Sequence, residues 1–308
     1  MHLKLVGFLV LVLAGRGAVA DTARPVRAER LDAERVAISV DGELFTEYRH
    51  SPEHKFPFLY PVNGPRSGRS VTTWDTDPFP HHSSLWFACD HVNGANYWQA
   101  LRQLATGQIE VQRVDIESDG PEQVVLVSEH LWRVPGQDPV LHDLRRITVT
   151  APAAGLRLID FEITLEPLVL VRINRNNHSL FAARMAPDLS VDGGGRLVNA
   201  EGLNGADETY GKTSDWMAGY GRRDAGVEGL AVFPHPANRW HPAPWFTRNY
   251  GFFSPTPMQW LPAGHVELPA GEAFTLRYRV VVFAGDPQEA GLARLYEEYM
   301  AEAEPATR

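Results

Sequence analysis

Residues 156–165 read LRLIDFEITL. Leu156, Leu158, Phe161, Ile163 and Leu165 are apolar and polar residues stand between most of them, the two-residue period of a strand with one buried face. The phase slips once, at Ile159-Asp160, where a β-bulge is expected. The same period runs upstream through ATGQIEVQRVDIE (105–117), QVVLVSEHLW (123–132) and LRRITVT (144–150). It returns near the end, where Phe274, Leu276, Tyr278, Val280 and Val282 alternate with Thr275, Arg277 and Arg279. The 26 glycines and 23 prolines are scattered between short apolar runs, as turns between many strands require. Past the N-terminal leader, helical spacing is convincing only in PQEAGLARLYEEY (287–299), with Asp286 as its cap and Pro287 in its first turn. A barrel of alternating strands and helices needs about eight such helices. The expected class is therefore all-β: a large antiparallel β-sandwich of two packed sheets, braced by a C-terminal helix.

The N-terminus reads as an export signal. Lys4 precedes the apolar run LVGFLVLVLAG, and Ala18-Val19-Ala20 has the small-residue pattern of a cleavage site before Asp21. Residues 1–20 are expected to be a signal peptide, residues 21–308 one sandwich domain, and the location periplasmic or secreted. The apolar run is short for a membrane span, and none follows it, so no span is expected in the mature chain. The net charge of −9 grows more negative once Lys4 and Arg16 leave with the leader. That balance argues against nucleic acid as a partner, because such binding rests on neutralising phosphates. Cys89 is the one cysteine, so no internal disulfide forms, and its neighbours Trp86, Phe87 and Ala88 mark it as a packed strand residue.

Chemistry concentrates in residues 81–98, HHSSLWFACDHVNGANYW. Five of the twelve histidines fall between positions 50 and 91, and histidine is the side chain most easily set to move protons or bind metal near neutral pH. His81 and His82 are adjacent on a strand, so simple alternation sends one of them into a site and the other away. Asp90 can orient a nearby imidazole and raise its basicity. Asn93 and Trp98 combine amide and flat-ring chemistry suited to a sugar, which shows hydroxyls at its edges and C–H groups on its faces. Asn93-Gly94 is also turn chemistry. In the preceding loop Arg69 and Trp74 are candidate contacts, Arg69 for an anionic group.

Three later segments add candidates. NNHSLFAAR (176–184) carries His178 and Arg184, and Asn177-His178-Ser179 also fits a glycosylation pattern. NAEGLNGADETYGKTSDWMAGY (199–220) carries Glu201 as an acid, Lys212 as a partner for negative charge, and Trp216. HPANRWHPAPWFTRNYGFF (235–253) holds His235, His241, Trp245 and Arg248 among three prolines, which stiffen a loop in its working shape. No HExxH or Cys/His ladder is present, so a divalent metal and no cofactor at all both stay open.

The runs GRSVTTW and PFPHHSSLWFACDHVNGANYW within 68–98, NHSLFAAR (177–184), GKTSDWMAGYG (211–221), GLAVFPHPANRWHPAPWFTRNYGFF (229–253) and LRYRVVVFAGD (276–286) together resemble the DUF6807 family, which also carries the label methane oxygenase PmoA. That second label belongs to a membrane subunit built from spanning helices, and without apolar runs of about 20 residues beyond the leader that activity is not expected. The resemblance implies a bacterial β-sandwich, supersandwich or mutarotase-like, found in carbohydrate-utilising settings. It implies site roles for His82, as the second of a His-His pair, and for His178, His235, His241 and Arg248. Ser83-Ser84 stands where the family commonly has a His-Arg-Gly-like run, which leaves charge neutralisation to Arg69, Arg184 or Arg248.

The leading expectation is an exported enzyme acting on a carbohydrate or sugar-derived substrate by histidine-assisted proton abstraction or hydrolysis. In it His82 or His178 is the base, Glu201 or His241 the acid, and Arg248 with Lys212 holds negative charge. Two alternatives stand beside it: a noncatalytic carbohydrate-binding protein that recognises its ligand through tryptophans, and a metal-dependent oxidoreductase.

Overall fold

The computed structural model describes residues 22–99 and 104–302; the expected signal peptide, residues 1–20, lies outside them. Two eight-stranded sheets dominate. In the first, hydrogen-bonded neighbours run in the order Val26–Arg30, Arg35–Val40, Glu43–Arg49, Phe58–Val62, Leu85–Cys89, Ser179–Arg184, Phe252–Pro255, Trp245–Arg248. In the second the order is Gln108–Asp119, Val124–Arg133, Leu141–Ala153, Leu156–Pro167, Phe274–Ala284, Gly226–Pro234, Met217–Arg223, Arg196–Asn199. Every pairing within these two sheets is antiparallel. The all-β sandwich with a C-terminal helix is thus what forms.

The faces between the sheets are closed by large rings. Phe181 stacks on Tyr278 at 4.7 Å and meets Phe161 at 4.9 Å, while Phe87 meets Trp132 at 6.3 Å. Buried polar groups also join the layers. The Tyr48 hydroxyl of the first sheet lies 3.0 Å from both Ser128 Oγ and His130 Nε2 of the second. His130 Nδ1 is 2.6 Å from Asp143, which also accepts from Trp132 Nε1 and from both Arg145 Nε and Nη2. The Arg145 guanidinium and these hydrogen bonds hold Asp143 well below the usual carboxylate range despite its burial.

The bulge expected at Ile159-Asp160 is not there. Leu156 to Leu165 pair without interruption with Phe283 to Phe274, and the register break sits on the neighbouring strand between Thr150 and Ala153. The hydrophobic phase slips because both faces of this strand are covered. Ile159, Phe161, Ile163 and Leu165 join the core between the sheets, whereas Leu158 packs with Leu292, Leu295, Tyr296 and Tyr299 of the C-terminal helix. That helix runs from Leu292 to Glu302, later than the expected start at 287. Asp286 still caps the chain ahead of it. Its Oδ1 accepts the N–H groups of Gln288 and Glu289 at 2.9 Å each, and the Glu289 carboxylate accepts the N–H of Asp286 at 3.1 Å, a reciprocal box around the preceding turn.

Candidate functional site

Alternation along Leu85–Cys89 sends Phe87 toward the second sheet and Trp86 to the opposite, outer face of the first. Trp86 meets Trp98 edge-on at 4.9 Å and stacks with His82 at 5.7 Å. Its strand neighbours add Arg184 and Phe252, which pair across Ser179–Arg184 and Phe252–Pro255. Over this face a hairpin, Trp74–Thr76 with Phe79–Ser83, and the segment through Gln99 build the walls of a cavity of about 270 Å3. His81, His82, Gln99, His178, Arg248 and Tyr250 bring polar groups to it, and Phe79, Phe246 and Phe252 line the rest.

Three imidazoles converge there. His81 lies edge-on to His82 at 4.5 Å and to His178 at 5.6 Å. Both members of the His81-His82 pair therefore reach the cavity, although alternation along a regular strand sends only one. The strand that carries them is a short peripheral one, and directly after it Ser84, with a φ of 62°, turns the chain out of the extended region. His82 is buried in a ring stack, 4.8 Å from Phe252 and 5.2 Å from Phe79, and burial drops its pKa to about 2. His178 keeps 19% of its side chain exposed, and burial together with His81 lowers it to about 3. His81 is lowered in the same sense, by burial and by Arg184, and its Nε2 lies 3.0 Å from the Gln99 amide nitrogen. All three rings are neutral at pH 7.

Asp90 fixes the floor. Its Oδ1 accepts the backbone N–H groups of Trp98 at 2.7 Å and Gln99 at 3.1 Å, and its backbone N–H donates to the carbonyl of His178 at 2.9 Å. One residue thus ties the segment through Gln99 to His178, just ahead of the strand Ser179–Arg184. Its Oδ2 is 4.0 Å from His178 Nδ1, a charge contact without a hydrogen bond. Burial raises the Asp90 carboxyl to about 6 against the pull of those backbone donors and Lys55. Lys55, lowered by burial to about 8, donates from Nζ to the Gln99 carbonyl at 2.7 Å. Cys89, one residue before Asp90, is 1% exposed, and burial pushes its thiol far up.

Arg184 supports the wall from behind. Its guanidinium lies 4.4 Å from the centre of the Tyr250 ring and donates to the Tyr250 carbonyl. Arg248 is half-buried, with its guanidinium 4.0 Å from the Phe246 ring centre and 5.0 Å from that of Tyr210.

Of the residues singled out from sequence, His82, His178 and Arg248 line the cavity, and Asp90, Trp98 and Arg184 hold its frame. The others lie elsewhere. Glu201 and Lys212 are exposed, and Arg69 is exposed beside Asp188 at 3.6 Å. Asn93 forms a tight turn with Gly94, both at positive φ, and its side chain bonds the backbone of Leu170 and Arg172. Trp74 packs with His54, Phe58 and Tyr60 under the Arg49 guanidinium. Trp216 faces the C-terminal helix, and Trp245 is core with its Nε1 donating to Ser214. His235 meets Tyr299 at 5.2 Å, and His241 lines a separate hollow with Trp240 and Tyr278. Among the described residues no three His, Cys, Asp or Glu side chains gather as a metal site requires.

Sequence reasoning gave no role to Phe79, Gln99, Phe246, Tyr250 and Phe252. For three of them a signal existed. Phe246, Arg248, Tyr250 and Phe252 recur every second residue, and Arg248 pairs with Phe252 across the hairpin, which puts both on one face.

Among solved structures the chain is similar to a candidate aldose 1-epimerase from Escherichia coli K12, at 14% identity and a TM-score of 0.36, covering 84% of this chain and 100% of that one. It is also similar to a polysaccharide lyase, at 12% identity and a TM-score of 0.32, covering 91% of this chain and 35% of that one. A third is a candidate kojibiose phosphorylase from the human microbiome, at 7% identity and a TM-score of 0.31, covering 91% and 36%. Similarities of that size leave the chemistry of the cavity to be read from its own residues. No curated protein matches the chain in sequence. The family profile does match, from residue 35 to residue 297, and with the motifs around the histidine cavity inside that span the chain belongs to DUF6807, a family of unknown function.

Proposed function

We propose that the protein is an enzyme that binds a carbohydrate or sugar-derived molecule in the histidine cavity, where neutral His178, with His81 beside it, takes a proton from the substrate and returns it. One observation carries this reading: two neutral imidazoles from different segments lie edge-on to each other, ring centres 5.6 Å apart, on the wall of a cavity that also presents Arg248. A volume of about 270 Å3 lies just under the ~300 Å3 where small-molecule pockets usually begin, which suits a single sugar unit. Phe246 and Tyr250 offer faces to its C–H groups, while Gln99 and Asn177 offer amides to its hydroxyls. His178 is the better placed base. It is neutral, it retains access to the cavity, and the Asp90 carboxylate beside Nδ1 compensates the positive charge that arises when Nε2 takes a proton. His81, in edge-on contact with His178, lies on the same side of the cavity, and Arg248 holds the negative charge of a carboxylate or of a developing enolate. His82, sealed in its ring stack, positions His81.

The test is turnover and affinity measured on one panel of hexoses, hexuronic acids and their glycosides. His178→Gln is expected to lower kcat by about a hundredfold or more while leaving Kd near the wild-type value. A His178→Gln protein that turns over within about twofold of wild type would overturn the assignment. The leader-like residues 1–20 support an exported protein, periplasmic or secreted; N-terminal sequencing of the material from the producing cell is expected to begin near Asp21.

A further inference from the structure

The histidine cavity does not end at Arg248. A second hollow of about 540 Å3 adjoins it, lined by Asp192, Asp207, Tyr210 and Asn249, and Arg248 and Tyr250 belong to the walls of both. Arg248 lies between Phe246 of the inner cavity and Tyr210 of the outer one, with its planar head against both rings. Tyr210 is 40% exposed yet held in place, edge-on to Phe246 at 5.3 Å and to Trp260 at 5.7 Å. It is a fixed ring that carries the Arg248 guanidinium and still leaves part of its surface exposed. Asp192 and Asp207 are exposed, and among the described residues neither side chain forms a hydrogen bond or a close ion pair, although Asp192 interacts electrostatically with Arg184.

We propose that the outer hollow is a second sugar subsite, so that the substrate is a glycoside of at least two units whose terminal unit enters the histidine cavity. This deepens the function proposed above and rests on it. The inner cavity has room for one unit, and the continuation of its wall through Arg248 and Tyr250 gives the neighbouring unit a place to lie. The two groups of atoms in the outer hollow match the two surfaces of a pyranose. The exposed part of the Tyr210 ring takes the C–H side, and the exposed carboxylates accept hydrogen bonds from ring hydroxyls. Two carboxylates also repel an anionic group, so the outer unit is a neutral sugar even where the inner one carries a carboxylate for Arg248. Arg248, shared by both walls, places donors at the junction, where the linking oxygen lies.

Calorimetric titration of single hexoses and hexuronic acids against the disaccharides that end in them tests this. The expected result is a disaccharide bound about tenfold more tightly than its terminal unit. Tyr210→Ala and, as a milder change, Asp207→Asn are each expected to remove most of that gain and to leave the single unit within about twofold of wild type. Single units that bind with no gain for their disaccharides overturn the subsite and leave the inner site standing. Equal losses for both ligand lengths in both variants also overturn it. Failure of every saccharide to bind overturns the subsite and the function it rests on together.

Discussion

At the scale of single residues the site depends on burial acting in opposite senses on neighbouring groups. It holds His178 and His82 neutral and lifts Asp90 toward the neutral form, while backbone donors pull Asp90 back. His178 is already neutral at any working pH, whereas Asp90, raised to about 6, and Lys55, lowered to about 8, change charge within that range; of these two, Asp90 is the one beside His178. The expected profile of kcat/KM therefore rises with pH through about 6, as Asp90 becomes the carboxylate that His178 needs, and then levels off. In Asp90→Asn the rising limb should vanish and the plateau should drop; a limb that persists there assigns it to another group. Stability follows its own sign. His82 has a pKa of about 2 in the fold against an ordinary 6.5, so below pH 6.5 the unfolded chain takes up more protons. Its contribution is complete above pH 6.5 and is lost as pH falls toward 2, and His178 acts in the same direction down to about 3. Asp90, raised above its ordinary 3.8, opposes this between 3.8 and about 6. His82→Phe fits the ring stack and removes one of these protonations, so its melting temperature should fall less than that of wild type between pH 7.5 and pH 5. Thermal scans at the two pH values measure the difference.

At the scale of elements, the C-terminal helix covers the outer face of the second sheet through Leu292, Leu295, Tyr296 and Tyr299. Leu292 is fully buried, and Leu292→Ala is expected to cost about 2–5 kcal/mol in denaturant unfolding while leaving ligand affinity in the opposite-facing cavity unchanged. Strands were the most legible part of the chain. The period-two run at 156–165 falls within an observed strand and that at 123–132 does so from Val124 on, because each has one face against the other sheet. The supposed bulge at Ile159-Asp160 was misread for a physical reason: a periodicity argument assumes one wet face, and the helix dries part of the other. The site was legible only in part. His82, His178 and Arg248 stand out by residue type, but Glu201, Lys212 and His241 have the same chemistry, and their separation from the cavity is set by strand order between distant segments. Phe79 and Gln99 carry no local signature, and their place comes from a hairpin and a turn anchored on Asp90.

At the scale of the molecule, the two sheets are joined by rings and by polar contacts, among them a buried network around His130 and Asp143. Tyr48 is the part of it contributed by the first sheet, and its hydroxyl reaches Ser128 and His130 of the second. Tyr48→Phe leaves those two groups without their shared partner in a dry interior. The expected loss is about 1–3 kcal/mol with an unchanged denaturant slope, measured by urea unfolding. A changed slope would indicate a looser native or denatured state instead. Cys89 lies in the strand beneath the cavity and is sealed between the sheets. Alkylating reagents cannot reach it until Leu85–Cys89 detaches, so the rate at which wild-type protein takes up one equivalent of label is a clock for opening of that strand. A saccharide that occupies the cavity slows that clock, and the slowing measures occupancy without any engineered reporter.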